Sequence, residues 1–351
     1  MNYSKFNDAD NYRRITKELI DIKMPCNAIF AAKPNEHIVH TKAAYCSTSV
    51  EELEETLSEE DIAIVENIGV SKYLNSLQVY EFLTLRGFDI TREKLRRKIL
   101  NLIRYRVIQE NEIIIDGALH GIKYYELDYY GYIFARQNGV IFHMGNRYMS
   151  YSKREERNIT PDTPIDVKRI LAGNQIVIGL LKNNIRMTRF GIMETIRSCN
   201  IENVKCMLRT AAIVRIDEES VLAYEVVRDT STAYDKLRDK IERYYKLLDT
   251  KDYIASNFHN DKVYPQLIIC GESLSHNVKI MRFLKDRNLW SDENPILFTE
   301  DLLNMKNSRI SIYRLKDDCS QEWYALPYAS CDIDHDKNNY CSSNVFVCMC
   351  S

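Results

Sequence analysis

The sequence predicts a mixed α/β protein in which an N-terminal winged helix-turn-helix is followed by a separate α/β domain. Three observations carry this. Glycine and proline are scarce, eleven and seven in 351 residues, which disfavours a turn-rich all-β architecture. Three helical apolar patterns between residues 58 and 106 precede two β-like runs ending at Asp128. Beyond residue 165 helical and β-like runs recur as strand, crossover helix and strand, which implies a parallel pair in a covered sheet.

Composition bounds the alternatives. With 45% hydrophobic and 28% charged residues the chain carries enough apolar surface for two or three modest cores and is neither disordered nor a disulfide-dense minidomain. The 48 Lys and Arg nearly balance the 50 Asp and Glu, so a formal charge of −2 gives no whole-chain attraction to nucleic acid. Any basic footprint has to be local. No apolar run approaches the roughly 18 residues that span a bilayer, and the opening MNYSKFNDADNYRR is polar, so the expectation is a cytoplasmic chain with no membrane partner. The ten cysteines are then expected to be reduced, with no disulfides.

Residues 1–57 read as a lead-in, with a helical start around Asn11 to Ile22 and a strongly acidic end. Residues 58–145 form the expected winged domain. Ile62, Val65 and Ile68 recur at helical spacing, LNSLQVYEFLTLRGF gives a second helix, and TREKLRRKILNLIRYR a third. In the third, Thr91 is the expected N-cap, and Leu95, Ile99, Leu102 and Ile103 share one face. The remainder is basic: Arg92, Lys94, Arg96, Arg97, Lys98, Arg104 and Arg106 against Glu93 alone, a local charge of +6. VIQENEIIID and IKYYELD, joined through Gly117 to Gly121, follow as the wing. A rigid helix with Arg and Lys outward fits the major groove while a wing touches phosphates, so Arg92, Lys94, Arg96, Arg97 and Lys98 are the expected contacts to duplex DNA. Arg104 and Arg106 lie late enough to meet the helix's negative end instead. The competing reading is a solvated charged surface or a protein-contact module.

Residues 146–164 lack apolar periodicity and mark the expected boundary, leaving residues 165–328 for the second domain and 329–351 for a tail. VKRILAGNQIVIGLLKN and MTRFGIMETIRSC read as helices, and VKCML, AAIVRI and VLAYEVV as strands. In the helix AYDKLRDKIERYYKLL the inner stripe is Leu237, Ile241, Tyr244, Tyr245 and Leu248. PQLIICG, SHNVKIMRFLKDR, PILFT and SRISIYRL complete the alternation. Glu225 interrupts the apolar VLAYEVV, and a buried carboxylate costs several kcal/mol, on the order of its desolvation, unless it is paired. Arg228 or Lys240 is the structural partner; the chemical alternative is one ligand of a divalent-metal site.

Helix, three strands, helix and strand, with a carboxylate on the third strand, resembles the restriction-endonuclease-like PD-(D/E)xK core. The order of YELDYYGYIFARQNG, MLRTAAIVRI, LAYEVVRDTSTAYDKLRDKIERYYKLL and YPQLIIC resembles, over residues 58 to about 300, the replication-relaxation family of Gram-positive mobile elements. That family joins a winged helix to such a core. The resemblance implies a Pro-Asp pair and a Glu-x-Asp; here Thr210 and Ala211 occupy the first and Val227 the second acid of the other, so only Glu225 remains. A degenerate core without cofactor is therefore expected, with Arg228, Lys236 and Lys240 kept for phosphate contact. Cleavage would need migrated partners for Glu225, Asp217 or Glu194 for the acid and Lys236 or Lys240 for the lysine, and only then Mg²⁺.

Cys331, Cys341, Cys348, Cys350 and His335 in the tail are poorly spaced for zinc, so no metal is assigned there. His37, His40, His120, His143, His259 and His276 suggest no catalytic dyad, the 23 tyrosines are explained by packing, and no phosphate loop, nucleophile elbow or zinc-protease helix is present. The expected function is a DNA-binding accessory or regulatory protein of plasmid or integrative-element replication or transfer, with a relaxase or replication proteins as further partners. A metal-dependent nicking nuclease and a protein-interaction scaffold are the alternatives.

Overall fold

The structure is a computed structural model that describes residues 5–6, 30–41, 49–117, 121–140, 162–185, 187–198, 207–217, 220–249, 253–255, 258–261, 265–291, 295–306 and 308–326. It is a mixed α/β protein. Its described residues fall into two compact units, one of residues 33–174 and one of residues 175–326 with the described parts of 1–32. Strand β1 (Lys5–Phe6) belongs to the second unit.

The 33–174 unit begins with β2 (Glu36–His40), then α1 (Val50–Thr56), α2 (Glu59–Ser71), α3 (Ser76–Leu85) and α4 (Arg92–Arg104). Each helix starts where a short polar side chain accepts from an otherwise orphaned amide: Ser49, Ser58 and Asn75 in reciprocal capping boxes, and Thr91 accepting from the Lys94 amide. Strands β3 (Ile108–Ile115) and β4 (Ile122–Leu127) follow, then α5 (Tyr129–Gln137). The sheet order is β2-β3-β4, antiparallel throughout, with Ile108 opposite Leu127 and Ile38 opposite Ile113. Ile64, Val65, Ile68, Val79, Phe82, Leu83, Ile99, Leu102, Val107 and Phe134 supply the buried core.

Residues 36–40 of the expected lead-in are thus a third sheet strand, and the expected helix at 11–22 lies outside the described residues. Helix α6 (Pro164–Lys182) contains the division between units at residues 174/175, later than the expected boundary at 146–164. Its first half is tied into the 33–174 unit by buried polar side chains. Lys168 pairs with Glu36 of β2, the Gln78 Nε2 donates to the Leu171 carbonyl at 2.7 Å, and the Asn174 Nδ2 donates to the carbonyls of Ser71 and Tyr73.

A Cβ on Gly131, in α5, would stand 2.0 Å from the Val107 carbonyl oxygen, so only glycine lets α5 approach the start of β3 this closely. Gly131→Ala is expected to lower the stability of this unit by about 1–3 kcal/mol, the range for forced overpacking, despite alanine's better helix propensity. Urea unfolding checks it, and an unchanged midpoint would show that the contact relaxes freely.

In the second unit an eight-stranded sheet has the order β1-β15-β14-β13-β12-β9-β8-β5, built from β5 (Arg189–Ile192), β8 (Ala212–Asp217), β9 (Ser220–Val226), β12 (Pro265–Gly271), β13 (Leu297–Glu300), β14 (Ile312–Leu315) and β15 (Gln321–Tyr324) with β1. Strands β9, β12 and β13 are parallel, joined by crossover helices α7 (Ser231–Leu248) and α8 (Leu274–Asp286); α9 (Asp301–Lys306) follows β13. A smaller sheet, β11-β10-β6-β7, is formed by β6 (Thr195–Ser198), β7 (Met207–Arg209), β10 (Tyr253–Ala255) and β11 (Phe258–Asp261). Ile213, Ala223, Leu267, Ile269 and Phe298 pack with Leu237, Ile241, Tyr244, Ile280 and Leu284 in the core.

Two expectations fail here. MTRFGIMETIRSC is not a helix but β5 and β6. Met187, Phe190, Ile192 and Ile196 have spacing that fits either period, and pairing with β8, Phe190 opposite Val214, decides for strand; Met193 at φ 50° breaks any helical run. In α7, Leu247 rather than Leu248 closes the buried stripe, and Tyr245 is half-buried. No helix among the described residues is long and apolar enough to cross a membrane.

Candidate nucleic-acid interface and the strand-end cluster

Helix α4 exists because its apolar residues sit at i, i+4, i+7 and i+8: Leu95, Ile99, Leu102 and Ile103 are buried, as the sequence predicts. The five expected contact residues divide by what else they touch. Lys98 retains only 15% of its side-chain exposure and its ammonium lies 2.7 Å from the Ser58 hydroxyl and 3.0 Å from Asp61, the cap of α2. It is a tie between helices and not a free cation. Lys94 pairs with Glu60, whose carboxyl is pulled down to about 2 by Lys94 and Lys98. Arg96 and Arg97 are exposed and share Glu93, at 3.3 and 3.2 Å. Arg92 lies over the Tyr80 ring, 5.8 Å from its centroid. Of the two late cations, Arg104 is exposed and Arg106 is drawn to Asp128 at 3.6 Å and to the Tyr130 ring.

The outward basic surface is therefore Arg92, Arg96, Arg97 and Arg104, with Glu93 among them. Arginine suits such a surface because its planar fork can take two phosphate or guanine acceptors at once.

In the second unit Glu225 is 4% exposed on β9, and Lys240 on α7 reaches it at 2.6 Å. Of the two structural partners read from the sequence, Lys240 is the one found. Arg228 has another commitment: wholly buried, it donates two hydrogen bonds to Asp301, Nη1 to Oδ2 at 2.7 Å and Nη2 to Oδ1 at 2.9 Å. Burial works against its charge, but Asp301 outweighs it and the guanidinium is held more firmly protonated than usual. The expected phosphate contact by Arg228 is thereby excluded. Lys236 is exposed on α7.

Asp217 does not join Glu225. It pairs with Ser220 at the opposite end of the β8–β9 hairpin, five residues away along β9, or about 16 Å. Glu194, read from the sequence as helical, instead occupies the buried turn between β5 and β6, where its carbonyl accepts from the Thr210 amide at 3.1 Å. Since Ala212 stands opposite Tyr224, Thr210 and Ala211 lie at the Glu225 end of β8, and Glu194 stands at that same end. Among the described residues no group of three or more His, Cys, Asp or Glu is arranged to hold a metal ion. The tail cysteines and His335 lie outside the described residues.

What sequence reasoning missed is the cluster gathered where parallel strands β9, β12 and β13 end. Asp301 also accepts from the Cys270 thiol at 3.4 Å, and burial pushes that thiol well up, so Cys270 is inert. Beside it, Asp229 meets Lys279 at 2.8 Å and accepts from the Tyr234 hydroxyl at 3.2 Å. The Glu272 amide donates to His276 Nδ1 at 3.1 Å, which leaves the neutral ring's proton on Nε2, 4.0 Å from Asp229 and with no hydrogen-bond partner. The available signal was positional: residues just past the carboxyl ends of successive parallel strands converge, and Arg228, Glu272 and Asp301 each follow a strand.

Burial pushes the His276 imidazole below its usual value near 6.5, so its neutral form is the one folding favours. The stability this gives is complete above pH ~6.5 and is lost as pH falls through the lower folded-state value. Wild-type protein is expected to lose urea resistance between pH 7.5 and 5, with a flatter profile in His276→Asn; equal slopes in the two proteins would refute it. Asp229, which burial pushes up but Lys279, His276 and Tyr234 together bring below its ordinary value, contributes only nearer its own range below ~4.

Comparison with protein-family models, curated proteins and solved structures finds no match to this chain.

Proposed function

We propose that the chain is a duplex-DNA-binding protein that docks α4 in the major groove with the β3–β4 hairpin as a wing, and that the second unit is a nuclease-like scaffold rather than a working nuclease. The observation that carries this is the outward face of α4, where Arg92, Arg96, Arg97 and Arg104 are exposed on a helix anchored by four buried apolar residues. Three capped helices followed by an antiparallel hairpin is the order a winged helix requires, and it supports the reading. In the second unit the second half of α6, then β5, β8, β9, α7 and β12, with the strands of the smaller sheet between them, follow in the order of the core it resembles. Glu225 is neutralised by Lys240, and Asp217 stands at the wrong end of the sheet, which favours a scaffold. The resemblance to the replication-relaxation family then points to an accessory or regulatory role in replication or transfer of a mobile element, alongside a relaxase or replication proteins.

The test is fluorescence anisotropy of full-length protein on duplex pools, titrated with salt in EDTA. Salt-sensitive binding with preference for some duplexes is expected. No binding at low salt would sink the reading and favour a protein-interaction scaffold.

A second reading has one observation behind it: Glu194 and Glu225 stand at the same end of the sheet with Lys240 beside the latter, two carboxylates and a lysine of the kind that supports metal-dependent nicking. Supercoiled plasmid with Mg²⁺ or Mn²⁺ decides it. Nicking by wild type that disappears in both Glu225→Gln and Glu194→Gln would establish an enzyme; equal nicking in all three would be a contaminant.

A further inference from the structure

One apolar side chain on α4 is not used by the fold. Leu95, Ile99, Leu102 and Ile103 meet the helix's packing requirement, while Leu100 is left 41% exposed. Of its neighbours one turn away, Arg96, Arg97 and Arg104 are exposed and Ile103 is buried, and Asn101 beside it is exposed as well. A large apolar residue with exposed arginines one turn before and one turn after it on the same helix is poorly matched to an apolar protein partner, whose contact would bury those cations, but it suits a polyanion that offers an isolated apolar group. Duplex DNA offers one on the base edges of its major groove, the 5-methyl group of thymine.

We infer that Leu100 reads a thymine methyl group in the major groove while the surrounding arginines hold the flanking phosphates. This rests on the DNA-binding reading above and adds to it a base identity and the residue that reads it. The arginines supply affinity that is indifferent to sequence, and Leu100 supplies a preference that survives at high salt, because contact with a methyl group releases no counterions.

The experiment starts from the tightest duplex selected from a random-sequence pool by the full-length protein, in which each dT is replaced singly by dU, removing only the methyl group. One replacement is expected to weaken wild-type binding about four-fold, the worth of one buried methyl group, with no effect of that replacement on Leu100→Ala. Leu100→Met, which restores an apolar reach, is expected to recover most of the discrimination. If no dU replacement matters, or if the same replacement weakens Leu100→Ala equally, the inference is overturned while salt-sensitive binding leaves the DNA-binding reading standing. Absence of salt-sensitive duplex binding overturns both.

Discussion

Asp301→Ala is expected to destabilise the second unit by about 3–5 kcal/mol, enough to unfold a marginal domain, because it strands the wholly buried Arg228 without the carboxylate that takes both its hydrogen bonds. The cost arises less from lost attraction than from leaving a desolvated charge uncompensated. The double variant Arg228→Met with Asp301→Leu removes both charges and is expected to recover most of the loss, since a buried ion pair can often be exchanged for apolar packing at little net cost. Urea unfolding of the two variants and the wild type separates these effects. Equal destabilisation in the single and double variants would mean that shape, not charge, is what Arg228 and Asp301 contribute.

The second large effect concerns binding. Arg96→Glu with Arg97→Glu reverses two exposed charges on α4 whose present partner is the single carboxylate of Glu93. Each charge-assisted contact to phosphate contributes about 1.5–3 kcal/mol, so affinity for duplex DNA is expected to fall at least about a hundred-fold. The slope of log affinity against log salt is expected to become shallower by about two. Both substitutions lie on the solvent side, so the unfolding midpoint is expected to move little. Unchanged affinity would remove α4 from the interface.

How much of this was legible in the sequence follows from what each residue's role depends on. The buried face of α4 was legible because its period lies within one helix, and the exposure of Arg96 and Arg97 follows from it. The occupation of Lys98 was not, because its partners Ser58 and Asp61 lie on another helix some forty positions back. Glu225 stood out as a carboxylate in an apolar strand, and its pairing with Lys240 was one of two local possibilities. Arg228 was the other, and the bond that removes it is made to Asp301, 73 positions away across two parallel crossovers. Glu194 was misplaced for a different reason: a four-residue strand carries too few residues for its period to be told from a helical one.

The pairing of Lys5 and Phe6 with Tyr324 and Trp323 has a temporal side. A chain made from its N-terminus at about 5–20 residues per second holds the first of these segments for roughly 20–60 s before the other leaves the ribosome. The outermost position of the large sheet is therefore filled last, by a segment that was made first. Through that interval Lys5 and Phe6 have no strand to pair with, and once β15 is made their presence closes a side that would otherwise be an open template for a neighbouring chain. Deleting the first ten residues is expected to leave that side of β15 uncovered, with self-association of the otherwise folded protein as its symptom.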